Sequence, residues 1–510
     1  MIGKSYEERA SLLKSVNRPY QAMGKSVHQA TCKVYKRRWY ILLIFSLVAS
    51  LNNVIWNAWG PIQATSQVVF EWDNTVITLL ADWGPISYVL AVIPMSWLMD
   101  AKGLRVSVLL AAFLELIGTA LRCFSLDNKS QTLLIHIGQF VTGIGGPVAM
   151  AAPPLVSAAW FPPSQRTTAT AISSLACYSG TALSFLIGPL LVDDVGKLTN
   201  GTSEKIDYNK LRKSLNASQI AEYKHQIMNF MYLEFGVTAF VFLCVLIYFP
   251  DKPRSPPSIT AAIGRLDFTI GFKSLLRKKR FWLLVFIYGL STGIYGAWCS
   301  VLDLNLSVFG IDQKTASWLG FGAVVAGSVS GISLSIFADH FTNHMKTIVI
   351  LLMIGASISL ALFSLVCIKV LPLWNSILYV TSILGGFFVN GSIPLFFELG
   401  VESTYPIAEG ITSGCLTFSN NFIQVVFYIF PMIPHFGTSW INWVTFGSCL
   451  ASVPLLVVWK AKYYRSQVDK RTPYVPVHGP ISYGSAGNER TIIGEAGENH
   501  EIKEPFDKGT

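Results

Sequence analysis

Aromatic and amide side chains inside long apolar runs are the residues of this sequence best suited to bind a ligand. Trp56 and Trp59 lie in the first apolar run, and Tyr295 lies in the seventh. An aromatic face can hold a cation or stack on a ring such as a pyridine. Gln139 and Asn421, in the fourth and eleventh runs, carry amides that can fix the hydroxyl groups of a ligand. We expect these five residues to bind a small solute, although Trp and Tyr also gather at membrane interfaces.

Ionisable residues within the apolar runs form a second group, because a charge inside a membrane is costly and usually functional. The candidates are Asp82, Glu115, His136, Glu234 and Asp303. We expect His136, Glu234 and Asp303 to handle protons, and His136 titrates in the pH range of an acidic organelle. Glu234 and Asp303 lie near the ends of their runs, where contact with water is a sufficient explanation.

Three further glutamates, Glu398, Glu402 and Glu409, lie near the end of the tenth run and the start of the eleventh. They are closer to the membrane surface than to its middle. We interpret them as a gate or a structural network rather than as proton carriers.

Several kinds of chemistry find no support in the sequence. There is no glycine-rich nucleotide loop of the Walker type, so the driving force would be a gradient rather than ATP. No nucleophile and base stand at a recognisable spacing, and the eight cysteines form no CxxC pair or Cys/His ligand pattern. We therefore predict no enzyme activity, no cofactor and no metal site.

The composition indicates which elements must position these side chains. Of 510 residues, 52% are hydrophobic and 13% are charged, whereas a soluble domain has about 25% charged residues. A spanning helix needs about 20 mostly apolar residues. Such runs lie near 39–63, 74–99, 104–124, 132–160, 167–192, 227–249, 281–303, 315–338, 347–369, 373–397, 408–431 and 438–460. The predicted fold is an all-α membrane protein with twelve transmembrane helices.

The distribution of Lys and Arg predicts the orientation. A net charge of +10 could suggest nucleic acid, but the basic residues cluster beside apolar runs, as the positive-inside pattern requires. They are dense before the first run, in the central loop and after the last run, which places both termini in the cytosol. The predicted divisions are a cytosolic segment 1–38, a six-helix bundle 39–249, a central loop 250–280, a second bundle 281–460 and a disordered cytosolic tail 461–510.

A short polar turn between the second and third runs carries Asp100, Lys102, Gly103 and Arg105. The acid can bond the amino terminus of a neighbouring helix, and glycine permits a tight turn. The corresponding point after the eighth run has Asp339, which makes a weak internal repeat. This pattern resembles the signature loop of the major facilitator superfamily, which implies two six-helix bundles that rock about a central site.

Longer stretches resemble solute carrier family 49, the feline leukaemia virus receptor-related facilitators. They are NNVIWNAWGPIQ at 52–63, DWGPISYVLAVIPMSWLMDAKGLR at 82–105, YLEFGV at 232–237 and FFELGVESTYPIAEGITSG at 396–414. The resemblance covers about residues 35–460 and is greatest to a lysosomal member. It implies transport of a small organic solute. Some members carry choline-like amines, haem has been proposed, and the lysosomal member is associated with proton-driven, electrogenic export of pyridoxine.

The resemblance also implies roles for single residues. Choline-type members hold a cation with a Trp in the first helix and a Tyr in the seventh. Trp56 matches the first, and Tyr295 matches the second to within one residue. Asn421 stands where those members are expected to have Gln, which implies a changed substrate. Asp82 and Glu115 depart from the family pattern, so the resemblance gives them no general coupling role.

The amino-terminal segment contains Glu8 followed by Leu12 and Leu13. This is the acidic dileucine spacing that clathrin adaptors read on the cytosolic side, where the predicted topology places it. We therefore expect sorting to the lysosomal membrane. The connection 193–226 lies on the other side in this topology and carries two glycosylation sequons, at Asn200 and Asn216.

Together these patterns predict a lysosomal transporter that works by alternating access and exports a small ring-bearing metabolite, pyridoxine by resemblance, with protons. A choline/ethanolamine-type or haem facilitator is one alternative, and the lack of a Cys/His pair at ligand spacing weakens the haem reading. A membrane sensor or receptor that binds its ligand without transport is another.

Overall fold

The computed structural model describes residues 32–124, 127–193, 195, 208–262, 265–300, 302, 306, 313–371, 375–429 and 440–471. Within these residues all regular secondary structure is helical, as predicted. The long helices are α1 Arg38–Trp56, α2 Asn74–Lys102, α3 Leu104–Arg122, α4 Asn128–Ala151, α5 Arg166–Leu191, α6 Ala217–Ile247, α7 Lys279–Ser300, α8 Gln313–His340, α9 Met345–Cys367, α10 Asn375–Thr404, α11 Glu409–Ile429 and α12 Trp440–Val458. Each predicted run coincides with one of them.

In the described part of the chain, 11 helices are long and apolar enough to cross a membrane, and α11 falls short. The reason is its polar content, because Thr412, Thr417, Asn420 and Asn421 interrupt its apolar sequence. All four side chains are buried against other helices. A helix that faces protein rather than lipid can carry such residues, since their hydrogen bonds are made inside the bundle.

Two predicted runs extend beyond the helices that they contain, because proline interrupts them. The first run reached 63, but α1 ends at Trp56, and a separate helix, Gln63–Phe70, follows Pro61. The fourth run reached 160, but α4 ends at Ala151, and Pro153 begins the helix Pro153–Trp160. Proline has no N–H to continue a preceding helix and is well suited to start a new one.

Helices α1–α6 and α7–α12 bury separate hydrophobic cores. The core of the first set includes Phe45, Val108 and Trp160, and the second set has clusters around Phe396 and Trp298. Between the two sets, α2 packs against α11 and α5 packs against α8. These four helices form most of the boundary at which a central site can lie.

We call the end of the molecule at which α1 begins and α12 ends the terminal face. Residues 250–262 and 265–278 lie there, and the N–H of Lys33 donates to the carbonyl oxygen of Pro256 over 3.1 Å. A further helix, α13 (Tyr464–Arg471), also lies there and packs against α10. The prediction of a disordered tail from 461 onwards is therefore wrong for α13. Arg465 within it is buried, and its ion pairs hold this polar helix to the bundle.

Candidate functional site

Trp56, Tyr88, Tyr178 and Tyr288 meet at the boundary between the two helix sets. Tyr88 on α2 donates its hydroxyl hydrogen to Thr417 on α11. Tyr178 on α5 packs against the cores of both sets, and its hydroxyl neighbours those of Tyr88 and Tyr288. Five helices, three from the first set and two from the second, thus bring hydroxyl and aromatic groups to one place.

Trp56 is held in this cluster by two close helix approaches. Its ring lies over Gly84 of α2 and Gly146 of α4, where an added Cβ would come within 2.7 and 2.4 Å of ring atoms. The Cβ position of Gly146 is also 3.4 Å from the ring of Tyr88. Glycine at both positions is what lets the indole lie this deep, with the residue 8% exposed.

Three donors of this cluster are buried: the indole nitrogen of Trp56 and the hydroxyls of Tyr178 and Tyr288. The two hydroxyls interact with each other, whereas the indole N–H has no hydrogen-bond partner among the described residues. A buried donor without a partner costs about 1–3 kcal/mol. The indole N–H is therefore suited to a ligand that supplies an acceptor, and the paired hydroxyls can extend that contact. Sequence reasoning missed Tyr88, Tyr178 and Tyr288, although their positions near the middle of long apolar helices were a usable signal.

A separate groove of about 340 Å³ opens between α1, α5 and α8. Trp56, Tyr88, Tyr178 and Tyr288 do not line it. We locate the candidate site by the cluster of Trp56, Tyr88, Tyr178 and Tyr288 instead, because its buried donors lie at the boundary between the two helix sets. The groove is lined by Leu43, Ser46, Leu47, Ser50, Ile172, Leu175, Ala176, Ser179, Ser328 and Ile332.

Two of the aromatic residues predicted to bind the solute lie elsewhere. Trp59 is 1% exposed and packs edge-on against Trp72, with the ring centroids 5.2 Å apart, in a cluster that includes Ile62. Tyr295 is 2% exposed and packs beside Trp298 within α7–α12. Both serve the hydrophobic core, because each points away from the boundary into its own helix set.

The two predicted amides have different surroundings. Gln139 donates to the carbonyl oxygens of Ile55 and Trp56 over 3.2 and 3.3 Å, so it holds the end of α1 beside the indole. Asn421 on α11 donates to the Thr417 carbonyl oxygen over 2.9 Å and lies 3.8 Å from the sulfur of Met150 on α4. Asn421 therefore faces the opposite helix set near the tyrosine cluster, whereas Gln139 acts through Trp56.

The predicted proton-handling residues do not form one site. Glu234 makes an ion pair with Arg122 over 2.7 Å, and both side chains are buried. His136 accepts a hydrogen bond from the indole of Trp83 over 2.9 Å. No hydrogen bond in the described part of the chain joins His136 to Glu234, and Asp303 lies outside the described residues. The Arg122–Glu234 ion pair joins α3 to α6, and the proton-handling role expected of these residues stays a prediction.

The turn after α2 joins the two helix sets at the terminal face. The Asp100 carboxylate accepts a hydrogen bond of 3.1 Å from the N–H of Ile411, in the first turn of α11. Gly103 has φ +85°, and a Cβ there would lie 2.4 Å from the Asp251 carboxylate. Both the conformation and the space therefore favour glycine. Lys102 and Arg105 are exposed beside this turn.

The second set makes the reciprocal contact, in which its own acid bonds the start of a helix of the first set. Asp339 near the end of α8 accepts hydrogen bonds from the N–H groups of Thr167 and Thr168, each 2.9 Å long, and from the Thr168 hydroxyl over 2.6 Å. Thr167 and Thr168 lie in the first turn of α5. Each helix set thus supplies an acid to a helix amino terminus of the other set, where unpaired N–H groups and the helix dipole favour a carboxylate.

Glu398, Glu402 and Glu409 are all engaged in a polar network at the terminal face. Glu398 pairs with Arg465 of α13 and accepts from the Thr170 hydroxyl of α5 over 2.9 Å. Glu402 accepts from the Ser466 hydroxyl over 2.6 Å. Glu409 accepts from both Nε and Nη2 of Arg265.

We name four links at this face the terminal gate: three join the two helix sets directly, and the fourth joins α5 to α13, which is paired with α10. They are Asp100 to Ile411, Asp339 to Thr167 and Thr168, Glu398 to Thr170, and Asp469 of α13 to Arg166 of α5 over 2.8 Å. All four are formed, so the helix sets are closed together at the terminal face.

The predicted sorting residues Glu8, Leu12 and Leu13 and the sequon at Asn200 lie outside the described residues. Asn216 lies inside them, immediately before α6, and its N–H donates to the side-chain oxygen of Gln219 over 3.0 Å.

Comparisons with known proteins agree with the fold described above. The Major Facilitator Superfamily family model matches residues 39–428. A solute carrier family 49 member 4 homolog of Xenopus laevis is 40% identical over 441 residues, 86% of this chain and 94% of that protein. The choline/ethanolamine transporter flvcr2b of Danio rerio is 29% identical and covers 80% of each chain. The crystal structure of the transporter FucP in the outward conformation aligns with a TM-score of 0.59 at 15% identity, over 82% of this chain and 99% of that one.

Proposed function

The chain belongs to solute carrier family 49 of the major facilitator superfamily, and on that premise we propose that it exports a small hydroxylated ring compound, pyridoxine, from the lysosome together with protons. Its relatives are transporters rather than enzymes. The substrate, the compartment and the proton coupling are what we propose.

The observation that supports the substrate is the set of buried donors at the boundary. Trp56 offers an N–H without a partner among the described residues, and Tyr178 and Tyr288 offer two neighbouring O–H groups, with the amide of Asn421 nearby. Pyridoxine carries three hydroxyl groups and a ring nitrogen, so it can accept from these donors while its ring stacks on the indole. The cluster consists of neutral aromatic and hydroxyl groups, which suits a polar but largely uncharged ring.

The terminal gate supports alternating access in a defined direction. With the gate closed, the site can be loaded only from the opposite face. We propose that residues 39–249 and 281–460, joined by the central loop 250–280, rock against each other about the central site. The terminal face is dense in Lys and Arg, including Lys36, Arg37 and Arg280, so we propose that it faces the cytosol. Opening of the gate then releases the solute into the cytosol.

Location and processing follow from the same orientation. Glu8, Leu12 and Leu13 would lie in the cytosol, where clathrin adaptors bind acidic dileucine signals. Asn200 and Asn216 would lie in the lumen, where sequons are glycosylated. We propose that Glu8, Leu12 and Leu13 direct the protein to the lysosome. We propose that Asn200 and Asn216 carry glycans.

The test is uptake of labelled pyridoxine by cells that express a Leu12→Ala, Leu13→Ala variant. This variant should remain at the cell surface, where the medium replaces the lumen. Uptake should exceed that of mock-transfected cells at about pH 5 and fall at about pH 7.5, because protons then no longer drive entry. A variant at the surface that carries no pyridoxine at either pH contradicts the substrate. A variant that stays inside the cell contradicts the sorting signal.

A choline or ethanolamine transporter is the second candidate. Relatives 28–29% identical carry that name, including flvcr2b and flvcr2a of Danio rerio, and Trp56 offers a face for a quaternary amine. This candidate predicts uptake of labelled choline that does not depend on pH. It also predicts surface residence with Leu12 and Leu13 intact.

A further inference from the structure

A buried carboxyl group on α3 makes a hydrogen bond in the first helix set but no ion pair. Glu115 is 1% exposed, and its Oε1 accepts a hydrogen bond of 3.1 Å from the amide nitrogen of Asn52 on α1. None of the ion pairs in the described part of the chain includes it. It lies 11 residues beyond the start of α3 at Leu104, so at 1.5 Å per residue it is roughly 17 Å deep, near the middle of the bilayer.

Asn52, the hydrogen-bond partner of Glu115, has hydrogen bonds at its amide nitrogen but not at its amide oxygen. The nitrogen of Asn52 donates to Glu115 and also to the Thr142 carbonyl oxygen over 3.3 Å. Its oxygen is buried and has no donor. A protonated carboxyl group is both donor and acceptor, so it can pair with both ends of an amide. A carboxylate only accepts, and would leave the Asn52 oxygen unpaired. The geometry therefore favours a proton on Glu115.

The ionisable groups on the other helices of the first set have other neighbours, so none that the structure describes offers Glu115 a counter-charge. On α6, Glu234 is paired with Arg122. On α4, His136 accepts from Trp83. On α2, Asp82 lies by Tyr428 of α11, and Asp100 bonds Ile411. On α5, the sulfur of Cys177 accepts from Asn53.

The position of Asn52 connects this carboxyl group to the candidate site. Asn52 and Trp56 are four residues apart on α1, so their side chains lie on one face of that helix. Gln139 holds the α1 carbonyl oxygens beside Trp56. Because Glu115 is enclosed, a proton can enter or leave only when α1 moves relative to α3. That movement also shifts the indole.

We propose that Glu115 takes up a proton from the lumen and releases it to the cytosol during transport, an inference that rests on the proton coupling proposed above. No bond other than the carboxyl O–H forms or breaks, and the proton is carried down its gradient. In this scheme the protonation state of Glu115 changes its hydrogen bond to Asn52 and, through movement of α1, the position of Trp56.

The first test is infrared difference spectroscopy on the purified full-length chain in liposomes, titrated with acid and base. The wild type should show the carbonyl stretch of a protonated carboxyl group that disappears as the pH rises, and Glu115→Gln should lack it. Asn52→Leu should keep this band but raise its frequency, because the amide no longer donates to the carboxyl oxygen. A band that persists in Glu115→Gln, or a wild type without a titrating band, overturns the proposal. This readout does not require the substrate to be pyridoxine.

The second test uses transport at the cell surface, in the Leu12→Ala, Leu13→Ala background. Glu115→Gln should abolish the difference in pyridoxine uptake between acid and neutral pH, while exchange of internal for external pyridoxine continues. Glu222→Gln is the matched control, because Glu222 is exposed on α6, and it should keep both the infrared band and the pH dependence. A wild-type pH response in Glu115→Gln overturns the proposal. If the wild type carries no pyridoxine, the proposed substrate fails, and the infrared result still decides the role of Glu115.

Discussion

The guanidinium of Arg166 on α5 donates to the carboxylate of Asp469 on α13 over 2.8 Å, and both side chains are buried. Asp469 also accepts from the N–H and the hydroxyl of Thr260. Arg465 on the same helix pairs with Glu398 of α10. The short helix after α12 therefore ties both helix sets and the central segment together at the terminal face.

Asp469→Asn should open the terminal gate more often. The substitution removes the charge facing Arg166, at a cost of about 1.5–3 kcal/mol for a hydrogen bond to a charged group. That corresponds to a roughly tenfold to hundredfold shift between closed and open forms. Ser413 donates to the Ala151 carbonyl oxygen inside the closed boundary, so a cysteine at Ser413 should be alkylated faster. Mass spectrometry of the modified peptide measures this rate.

Asp267→Asn is the matched control for that experiment. Asp267 is exposed on the same face and makes no side-chain cap hydrogen bond, so its substitution should leave the alkylation rate at position 413 unchanged. Equal rates in Asp469→Asn and the wild type would show that α13 does not hold the gate.

Asp339→Ala should destabilise the closed form more than Asp100→Ala. Asp339 accepts three hydrogen bonds from the start of α5, and Asp100 accepts one from α11. Loss of a helix cap costs about 0.5–2 kcal/mol. Spin labels at the exposed positions Lys102 and Arg277 report the separation of the two sets. A longer-distance population should be larger in Asp339→Ala, and the opposite order would contradict this account.

Tyr178→Phe and Tyr288→Phe should each weaken pyridoxine binding without loss of folding. Each removes one buried hydroxyl from the boundary. A neutral hydrogen bond contributes about 0.5–1.5 kcal/mol, so KM should rise roughly 2- to 12-fold. Tyr295→Phe is the control, because that hydroxyl is also buried but lies in the core of α7–α12. A larger KM change in Tyr295→Phe would support the assignment made from the sequence.

Gly146→Ala should impair transport by displacing Trp56. The added methyl group would lie 2.4 Å from the indole, and overpacking of this kind costs about 1–3 kcal/mol. Gly236→Ala on α6 makes the same chemical change where nothing lies within 4 Å, and it should have no effect on uptake. If both variants transport normally, Trp56 need not occupy this position.

Several features of this protein were predictable from local sequence. Apolar runs of about 20 residues are sufficient to identify spanning helices, because a bilayer offers the backbone no hydrogen bonds. The prediction located all twelve long helices, and it identified Asp100 and Asp339 as a repeated pair. It also selected Trp56 by its depth and its family match; the structure places this residue between the helices at the boundary, and its binding role stays a prediction.

The tertiary structure decided which side chains share a site. Tyr88, Tyr178 and Tyr288 come from three helices, and only the packing of α2 and α5 against α11 and α8 brings such distant residues to one boundary. Tyr295 lies seven residues after Tyr288 in α7 but serves the hydrophobic core.

The ion pairs of α13 could not be predicted from the sequence either. A short polar helix is stable here because its buried Arg465 meets Glu398 and Glu402, which lie more than sixty positions earlier. Local sequence determines which segments become helices, since that depends on composition and period. The pairing of charges and hydroxyls depends on the packing of distant helices, and that is decided only by the folded chain.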